Sequence, residues 1–173
     1  VQAIVVGVPN MGEQRIDEYS PFADPEHGGG RGDAYLAFVA ETLKPHIDRA
    51  FRTRSEPEAT GVVGSSMGGL ISLHALLTRP ETFGMAAVMS PALWFAGGAI
   101  FQAAEGLQAA RGRLYLDVGT EEGEETLANA RRMAELLHQK GMQPDTQLRY
   151  HEEQGADHSE AAWSERLFQA IAW

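Results

Sequence analysis

The sequence predicts an α/β fold with a mostly parallel β-sheet. Five short segments have strand character, as continuous apolar runs or as alternating patterns: residues 3–8, 61–64, 86–89, 114–118 and 146–150. Helical periodicity follows in most of the intervening chain, at residues 34–51, 67–78, 126–140 and 161–173, and more weakly at 92–112. Strands that alternate with helices are typical of a parallel sheet, because each crossover helix returns the chain to start the next strand in the same direction.

The first half of the chain carries the least regular pattern. Residues 3–8 form a continuous apolar run rich in β-branched side chains, which fits a strand buried on both faces. A polar loop with three consecutive glycines follows, over residues 13–32. Asp33 is predicted to cap the next helix, and Pro45 is predicted to kink it.

Composition limits the class of protein. The chain has 173 residues, 43% hydrophobic and 22% charged, which fits one globular domain over residues 1–173. Its formal net charge of −10 argues against nucleic-acid or anionic-membrane partners, which require a basic face. Cysteine is absent, so disulfides and thiolate chemistry are excluded. The sequence opens without a signal-peptide pattern, which favours the cytoplasm.

The most informative segment is Gly-Ser-Ser-Met-Gly, which reads G-x-S-x-G between a predicted strand and a predicted helix. A serine at the tip of such a turn is exposed at a helix N-terminus and can act as a nucleophile, which here is Ser66. The next backbone N–H, that of Met67, is placed to bind an oxyanion. The tight turn requires small residues two positions away on each side, and Gly64 and Gly68 meet that requirement.

A nucleophilic serine needs a histidine base and an acid that orients the histidine. In this class of fold the acid follows the serine and the histidine comes last. His158 lies between the last predicted strand and the final helix, and His151 at the end of that strand is its rival. Three acids are placed at or after the fourth strand, Asp117, Glu121 and Glu122, and the residue pattern does not choose among them.

Several motifs, in their order, resemble the esterase family of α/β-hydrolases that includes esterase-D-like and enterobactin-esterase-like proteins. They are Gly-Ser-Ser-Met-Gly-Gly-Leu at 64–70, Ser-Pro-Ala-Leu-Trp at 90–94 and Gly-Ala-Asp-His at 155–158. The resemblance implies the three-layer α/β-hydrolase sandwich, with Ser66 as nucleophile and His158 as base. It also implies Glu122 as the acid, through the Gly-x-x-Glu loop at 119–122, although the family more often has Asp there.

One departure from the family concerns the start of the chain. The family normally carries further strands before the segment equivalent to residues 3–8, and a loop after one of them donates a second oxyanion N–H. We therefore expect an N-terminally truncated sheet of about five strands, an incomplete domain in which Met67 is the one identifiable oxyanion donor. The sheet edge left exposed could support a homo-oligomer.

Taken together, these patterns predict a serine hydrolase that cleaves small-molecule carboxylic esters through a Ser-His-acid triad and an acyl-enzyme intermediate. Asn10, at the end of the first predicted strand, and Trp94, after the third, are predicted to line the substrate pocket. We expect no metal and no organic cofactor. Two alternatives stay open: an acyltransferase that uses the same triad, and a non-catalytic hydrolase-like fragment without a complete oxyanion hole.

Overall fold

A computed structural model describes residues 2–173 and has a four-stranded parallel sheet at its centre. A short antiparallel hairpin precedes the sheet and consists of β1 (Ala23–Asp24) and β2 (Gly28–Gly29). The four strands of the sheet are β3 (Gly61–Ser65), β4 (Met85–Met89), β5 (Arg113–Gly119) and β6 (Leu148–Glu153). Their spatial order is the same as their order in the chain.

Helices connect and flank these strands. The α-helices are α1 (Arg15–Tyr19), α2 (Gly32–Ala37), α3 (Lys44–Ala50), α4 (Met67–Thr78), α5 (Phe95–Glu105), α6 (Glu124–Gln139) and α7 (Glu160–Ala172). A π-helical segment spans Phe38–Leu43, and 3₁₀ turns span Gly12–Gln14 and Pro57–Ala59. Within residues 2–173, no helix has both the length and the apolar character needed to cross a membrane.

The strand order determines how the layers are built. Parallel crossovers are right-handed, so strands that follow one another in chain order place α4, α5 and α6 on the same face of the sheet. Apolar side chains of these three helices share one core cluster with the sheet. On the opposite face, Ala170 and Trp163 of α7 pack with Ala87, Met89 and Tyr115. The predicted α/β fold class is therefore confirmed, as three layers.

The predicted first strand is wrong. Residues 3–8 have no regular secondary structure, and Ile4, Val5 and Val6 are 50%, 79% and 40% exposed. An apolar run becomes a strand only where a neighbouring strand satisfies its backbone hydrogen bonds, and residues 3–8 have no such neighbour among the described residues. The sheet consequently has four strands rather than about five, and β3 and β6 lie at its two edges.

The predicted capping role of Asp33 is also wrong. The helix begins at Gly32 with Arg31 in the N-cap position, and no side chain caps it. Asp33 lies in the first turn instead, where its Oδ1 lies 2.9 Å from Nε2 of the buried His74 on α4. The carboxylate therefore joins α2 to α4.

The predicted kink at Pro45 takes the form of a wider helical turn. The Lys44 N–H donates to the Val39 carbonyl, five residues back, at the end of the π-helical segment. Proline has no N–H and its ring crowds the carbonyl four residues earlier, so a widened turn just before Pro45 lets the helix continue without a break.

The last strand begins later than predicted. Asp145 has a φ of +58°, and the Leu148 N–H donates to the Gln143 carbonyl, so the backbone turns through the first residues of the predicted strand 146–150. The strand then continues to Glu153, which brings its carboxyl end close to the loop that follows β5.

Candidate active site

Ser66 occupies the turn between β3 and α4 in a strained conformation, with φ 56° and ψ −120°. A non-glycine residue in this region costs about 1–3 kcal/mol and persists only when its surroundings hold it. The Ser66 N–H donates to the Met89 carbonyl, and the Ser66 carbonyl accepts from the N–H groups of Leu70 and Ala92. These contacts anchor the turn to the ends of β4 and α4.

The two glycines that flank this turn differ in what they require. A Cβ built on Gly64 would lie 2.3 Å from the Gly68 carbonyl oxygen, so strand and helix can approach this closely only without a side chain there. A Cβ on Gly68 would meet nothing within 4 Å. The tight turn therefore requires a small residue at Gly64, but Gly68 has room for a side chain, contrary to the prediction for that position.

Two loops at the same edge of the sheet are held together by backbone contacts. The Glu121 N–H donates to the Ala156 carbonyl, and the Thr120 N–H donates to the Glu153 carbonyl. A Cβ on Gly119 would lie 2.2 Å from the Ala156 oxygen, so only glycine permits this approach. The loop after β5, which carries Glu122, is in this way fixed against the loop after β6.

The three predicted site residues lie in one hydrogen-bonded line. His158 Nε2 lies 3.1 Å from Ser66 Oγ, and His158 Nδ1 lies 2.7 Å from Glu122 Oε2. This is the arrangement in which a histidine can accept a serine proton while a carboxylate orients the ring. His151 is instead paired with Glu153 at 3.0 Å, and no contact joins it to the serine.

Glu122 is the acid that the structure brings to the histidine, and its side chain is fully buried. Its Oε1 accepts from Ser90 Oγ at 2.6 Å and from the Gly119 N–H at 2.7 Å. Burial alone would raise the pKa of Glu122, but hydrogen bonds from His158, Ser90 and Gly119 outweigh it and hold this pKa below its ordinary value.

Asp117, the second candidate acid, has a different partner. It is fully buried in β5 and pairs with Arg166 of α7, with Nε–Oδ2 and Nη2–Oδ1 distances of 3.1 and 3.2 Å. Burial raises the pKa of Asp117, and the hydrogen bonds from Arg166 counteract that rise. Glu121, the third candidate, is exposed.

Ser90, Trp163 and Arg166 were not found by sequence reasoning. Arg166 Nη2 and Trp163 Nε1 lie 2.8 and 3.0 Å from Ser90 Oγ, and the Trp163 ring meets the His158 ring edge-on at 4.9 Å. One signal was present: residues 163, 166 and 170 share one face of α7, and an arginine between two apolar residues on a core-facing stripe needs a buried partner.

The backbone N–H of Met67 starts α4 directly after Ser66. It has no acceptor among residues 2–173, as expected for the first turn of a helix. It is therefore available to a negatively charged oxygen beside the serine.

The two predicted pocket residues have different surroundings. Trp94 is 47% exposed and lies two residues after Ala92, whose N–H binds the Ser66 carbonyl. Its ring meets the His27 ring edge-on at 5.8 Å. Asn10 lies in an exposed turn where its Oδ1 accepts from the Gly12 N–H, and no contact joins it to the serine. Its pocket role stays a prediction.

Among residues 2–173, no three or more His, Asp or Glu side chains are grouped so as to hold a metal ion.

Chain order separates the folds that carry a Ser-His-acid arrangement. The order serine, acid, histidine on a parallel sheet is that of the α/β-hydrolases, and this defines the class of protein. The model of the family described as "Putative esterase" matches residues 1–173, and the chain belongs to that family.

Individual relatives match different shares of the chain. The chain is 28% identical to YbbA of Bacillus subtilis over 99% of its own length and 73% of that protein. It is 35% identical to a siderophore enterobactin esterase of Emericella nidulans over 46% of its length and 28% of the relative. It is 38% identical to the ferri-bacillibactin esterase BesA of Bacillus subtilis over 40% of its length and 22% of that protein.

Solved structures share the fold. The BES protein from Bacillus cereus superposes with a TM-score of 0.77 at 22% identity, over 92% of this chain and 63% of that one. The enterobactin esterase FES from Shigella flexneri superposes with a TM-score of 0.71 at 22% identity, over 80% of this chain and 37% of that one. The chain thus spans less than two thirds of either structure.

Proposed function

We propose that this chain is a serine esterase in which Ser66, His158 and Glu122 form the catalytic triad. The observation that carries the proposal is the continuous hydrogen-bonded line from Ser66 Oγ through the imidazole to Glu122 Oε2. A serine hydroxyl is a weak nucleophile, and this line provides both the base and the group that orients the base.

The proposed reaction has two halves. Ser66 Oγ attacks the acyl carbon while its proton passes to His158 Nε2, and the oxyanion that forms accepts from the Met67 N–H. His158 then protonates the departing alcohol, which leaves the acyl group on Ser66. In the second half, His158 takes a proton from water, the hydroxide attacks the acyl carbon, and the protonated imidazole returns its proton to Ser66 Oγ. Glu122 stabilises the imidazolium in both halves.

We extend the proposal to siderophore esters as the substrate class. Named relatives of the chain are esterases of enterobactin and ferri-bacillibactin. The site is open: the His158 side chain is 43% exposed and Trp94 is 47% exposed. An exposed tryptophan next to the serine turn offers a surface on which an aromatic ring can stack.

The catalytic assignment is tested by Ser66→Ala, with Ser65→Ala as the matched control from the preceding position. Hydrolysis of a p-nitrophenyl ester should fall to the background rate in Ser66→Ala and stay within about threefold of the wild type in Ser65→Ala. Covalent labelling by a fluorophosphonate should disappear in the first variant alone. Wild-type turnover by Ser66→Ala would refute the assignment.

The substrate class is tested with the iron-free siderophore itself. Enterobactin should be hydrolysed with a higher kcat/KM than p-nitrophenyl butyrate, as followed by chromatography of the substrate and its products. A protein that labels at Ser66 and hydrolyses the chromogenic ester but leaves enterobactin intact would restrict the proposal to another ester class.

A further inference from the structure

Ser90 is a strained and buried residue to which the reaction above gives no role. It follows β4, is fully buried and has a φ of +42°. A residue with a Cβ in this left-handed region costs about 1–2 kcal/mol relative to a right-handed conformation, and glycine would avoid that cost. Strain of this kind at a site points to a requirement for the side chain.

The partners of Ser90 determine where its hydroxyl proton goes. Arg166 Nη2 at 2.8 Å and Trp163 Nε1 at 3.0 Å can only donate hydrogen bonds, because neither group has an acceptor lone pair. The hydroxyl must accept both, so its own proton is directed to the remaining partner, Glu122 Oε1, at 2.6 Å.

The hydrogen bond that Ser90 donates has consequences for the Glu122 carboxylate. Its Oε1 receives one hydrogen bond from Ser90 and a second from the Gly119 N–H, which together occupy both lone pairs of that oxygen. Oε2 is left to face His158 Nδ1 at 2.7 Å. An ionised carboxylate has no proton to give, so Nδ1 carries the proton and Nε2 keeps the lone pair that faces Ser66.

We propose that Ser90 is a positioning residue whose hydroxyl, oriented by Arg166 and Trp163, fixes the Glu122 carboxylate and thereby keeps His158 in the Nδ1–H tautomer. The inference rests on the proposed function, because the tautomer matters only if His158 accepts the Ser66 proton. Arg166 orients the Ser90 hydroxyl without touching Ser66 or His158, whereas Trp163 also packs edge-on against the His158 ring.

Charges around this network set the direction of the pH effect. Two groups face the Glu122 carboxylate. His158 approaches it from the loop before α7, and Arg166 approaches it from α7, with an Nη2–Oε1 distance of 3.8 Å. Asp117 on β5 neutralises Arg166, and His151 lies beside Asp117 in the β5–β6 pairing. Loss of the Ser90 hydroxyl leaves the Glu122 charge less compensated, which favours the imidazolium. The acid limb of the kcat/KM profile should therefore move to higher pH.

The experiment compares Ser90→Ala and Ser90→Gly with Ser72→Ala, which removes another buried serine hydroxyl, on α4. Both Ser90 variants should lose about 10- to 100-fold in kcat at constant KM, the range for one hydrogen bond to a charged group. In ¹⁵N NMR the wild-type His158 ring should show the Nδ1–H tautomer, and the Ser90 variants a mixture. Ser72→Ala should keep the wild-type kcat, pH profile and tautomer.

Ser90→Gly separates a positioning role from a structural one, because it relieves the positive φ while it removes the hydroxyl. A Ser90→Gly protein with wild-type kcat, acid limb and tautomer overturns the inference. If neither Ser90 variant folds, Ser90→Cys keeps a side chain of similar shape but offers Glu122 only a weak S–H donor, and an unchanged tautomer and pH profile in that variant overturn the inference equally. Full activity in Ser66→Ala would instead refute the proposed function itself.

Discussion

Replacement of Glu122 by glutamine tests the site with almost no change in shape. The two donors at Oε1, Ser90 Oγ and the Gly119 N–H, require an acceptor, so the amide oxygen of Glu122→Gln must take that position. The amide NH₂ group then faces His158 Nδ1 across the 2.7 Å contact. Two N–H groups cannot face each other, so the imidazole must turn to its other tautomer, with the proton on Nε2.

The loss of activity in Glu122→Gln follows from the change of the His158 tautomer. A histidine with its proton on Nε2 has no lone pair for the Ser66 proton, so catalysis must proceed from the rare tautomer. We expect kcat to fall by about 10³- to 10⁴-fold, equivalent to about 4–5 kcal/mol of transition-state stabilisation. KM should change little, because Glu122 is buried and reaches no substrate.

The assay is steady-state hydrolysis of a chromogenic ester, with thermal unfolding measured on the same samples. Glu121→Gln is the matched control: it makes the same chemical change one residue earlier, on an exposed side chain, and should keep wild-type kcat. A Glu122→Gln enzyme within tenfold of the wild type would refute the reasoning from the tautomer. A large loss in Glu121→Gln would move the acid to that residue.

Three further predictions concern other parts of the molecule. Trp94→Ala should raise KM for an aromatic ester by about tenfold at constant kcat, and an unchanged KM would remove Trp94 from the substrate surface. Arg166→Met should cost about 3–5 kcal/mol in urea unfolding because it leaves the Asp117 charge buried without its cationic partner, and Arg166→Met with Asp117→Leu should recover most of that loss. Hydrogen bonds from Arg131 lower the pKa of Glu152 to about 2, below its ordinary value of 4.5, so this pair stabilises the fold above pH 4.5 and its contribution is lost as the pH falls towards 2. Arg131→Gln should therefore lower the urea midpoint slightly at pH 7, since the pair is partly exposed, and by less at pH 2, where Glu152 is partly protonated; a decrease independent of pH would contradict this cause.

The parts of the fold that the sequence predicted well are those with local signals. The turn around Ser66 could be found because Gly64 leaves no room for a side chain and because a strand and a helix flank it. Chain order led to His158, and the Gly-x-x-Glu pattern led to Glu122 through the resemblance to the esterase family. In each case the residues on which the prediction rests lie within a short stretch of the chain.

The parts that it missed depend on distant partners. Residues 3–8 have the side chains of a buried strand. A strand forms only where a neighbouring strand pairs with it, and residues 3–8 have no such neighbour in the part of the chain that the structure describes. Arg166 and Ser90 lie 76 positions apart in the chain, and the sequence around neither residue predicts a contact with the other. Asp117 was considered as a catalytic acid because its type and position were suitable, whereas only the packing of α7 shows that Arg166 already holds it.

The left-handed backbone at Ser66 and Ser90 has a consequence for protein engineering. Four non-glycine residues in the described chain have positive φ, namely Ser66, Ser90, Ala96 and Asp145. Glycine would relax each of them by up to about 1 kcal/mol, so a redesign that optimises only folded-state energy would select all four positions. At two of them it would remove hydroxyl groups on which turnover depends in our proposals. A thermostability library should therefore keep Ser66 and Ser90 fixed and look for the same gain at Ala96 and Asp145.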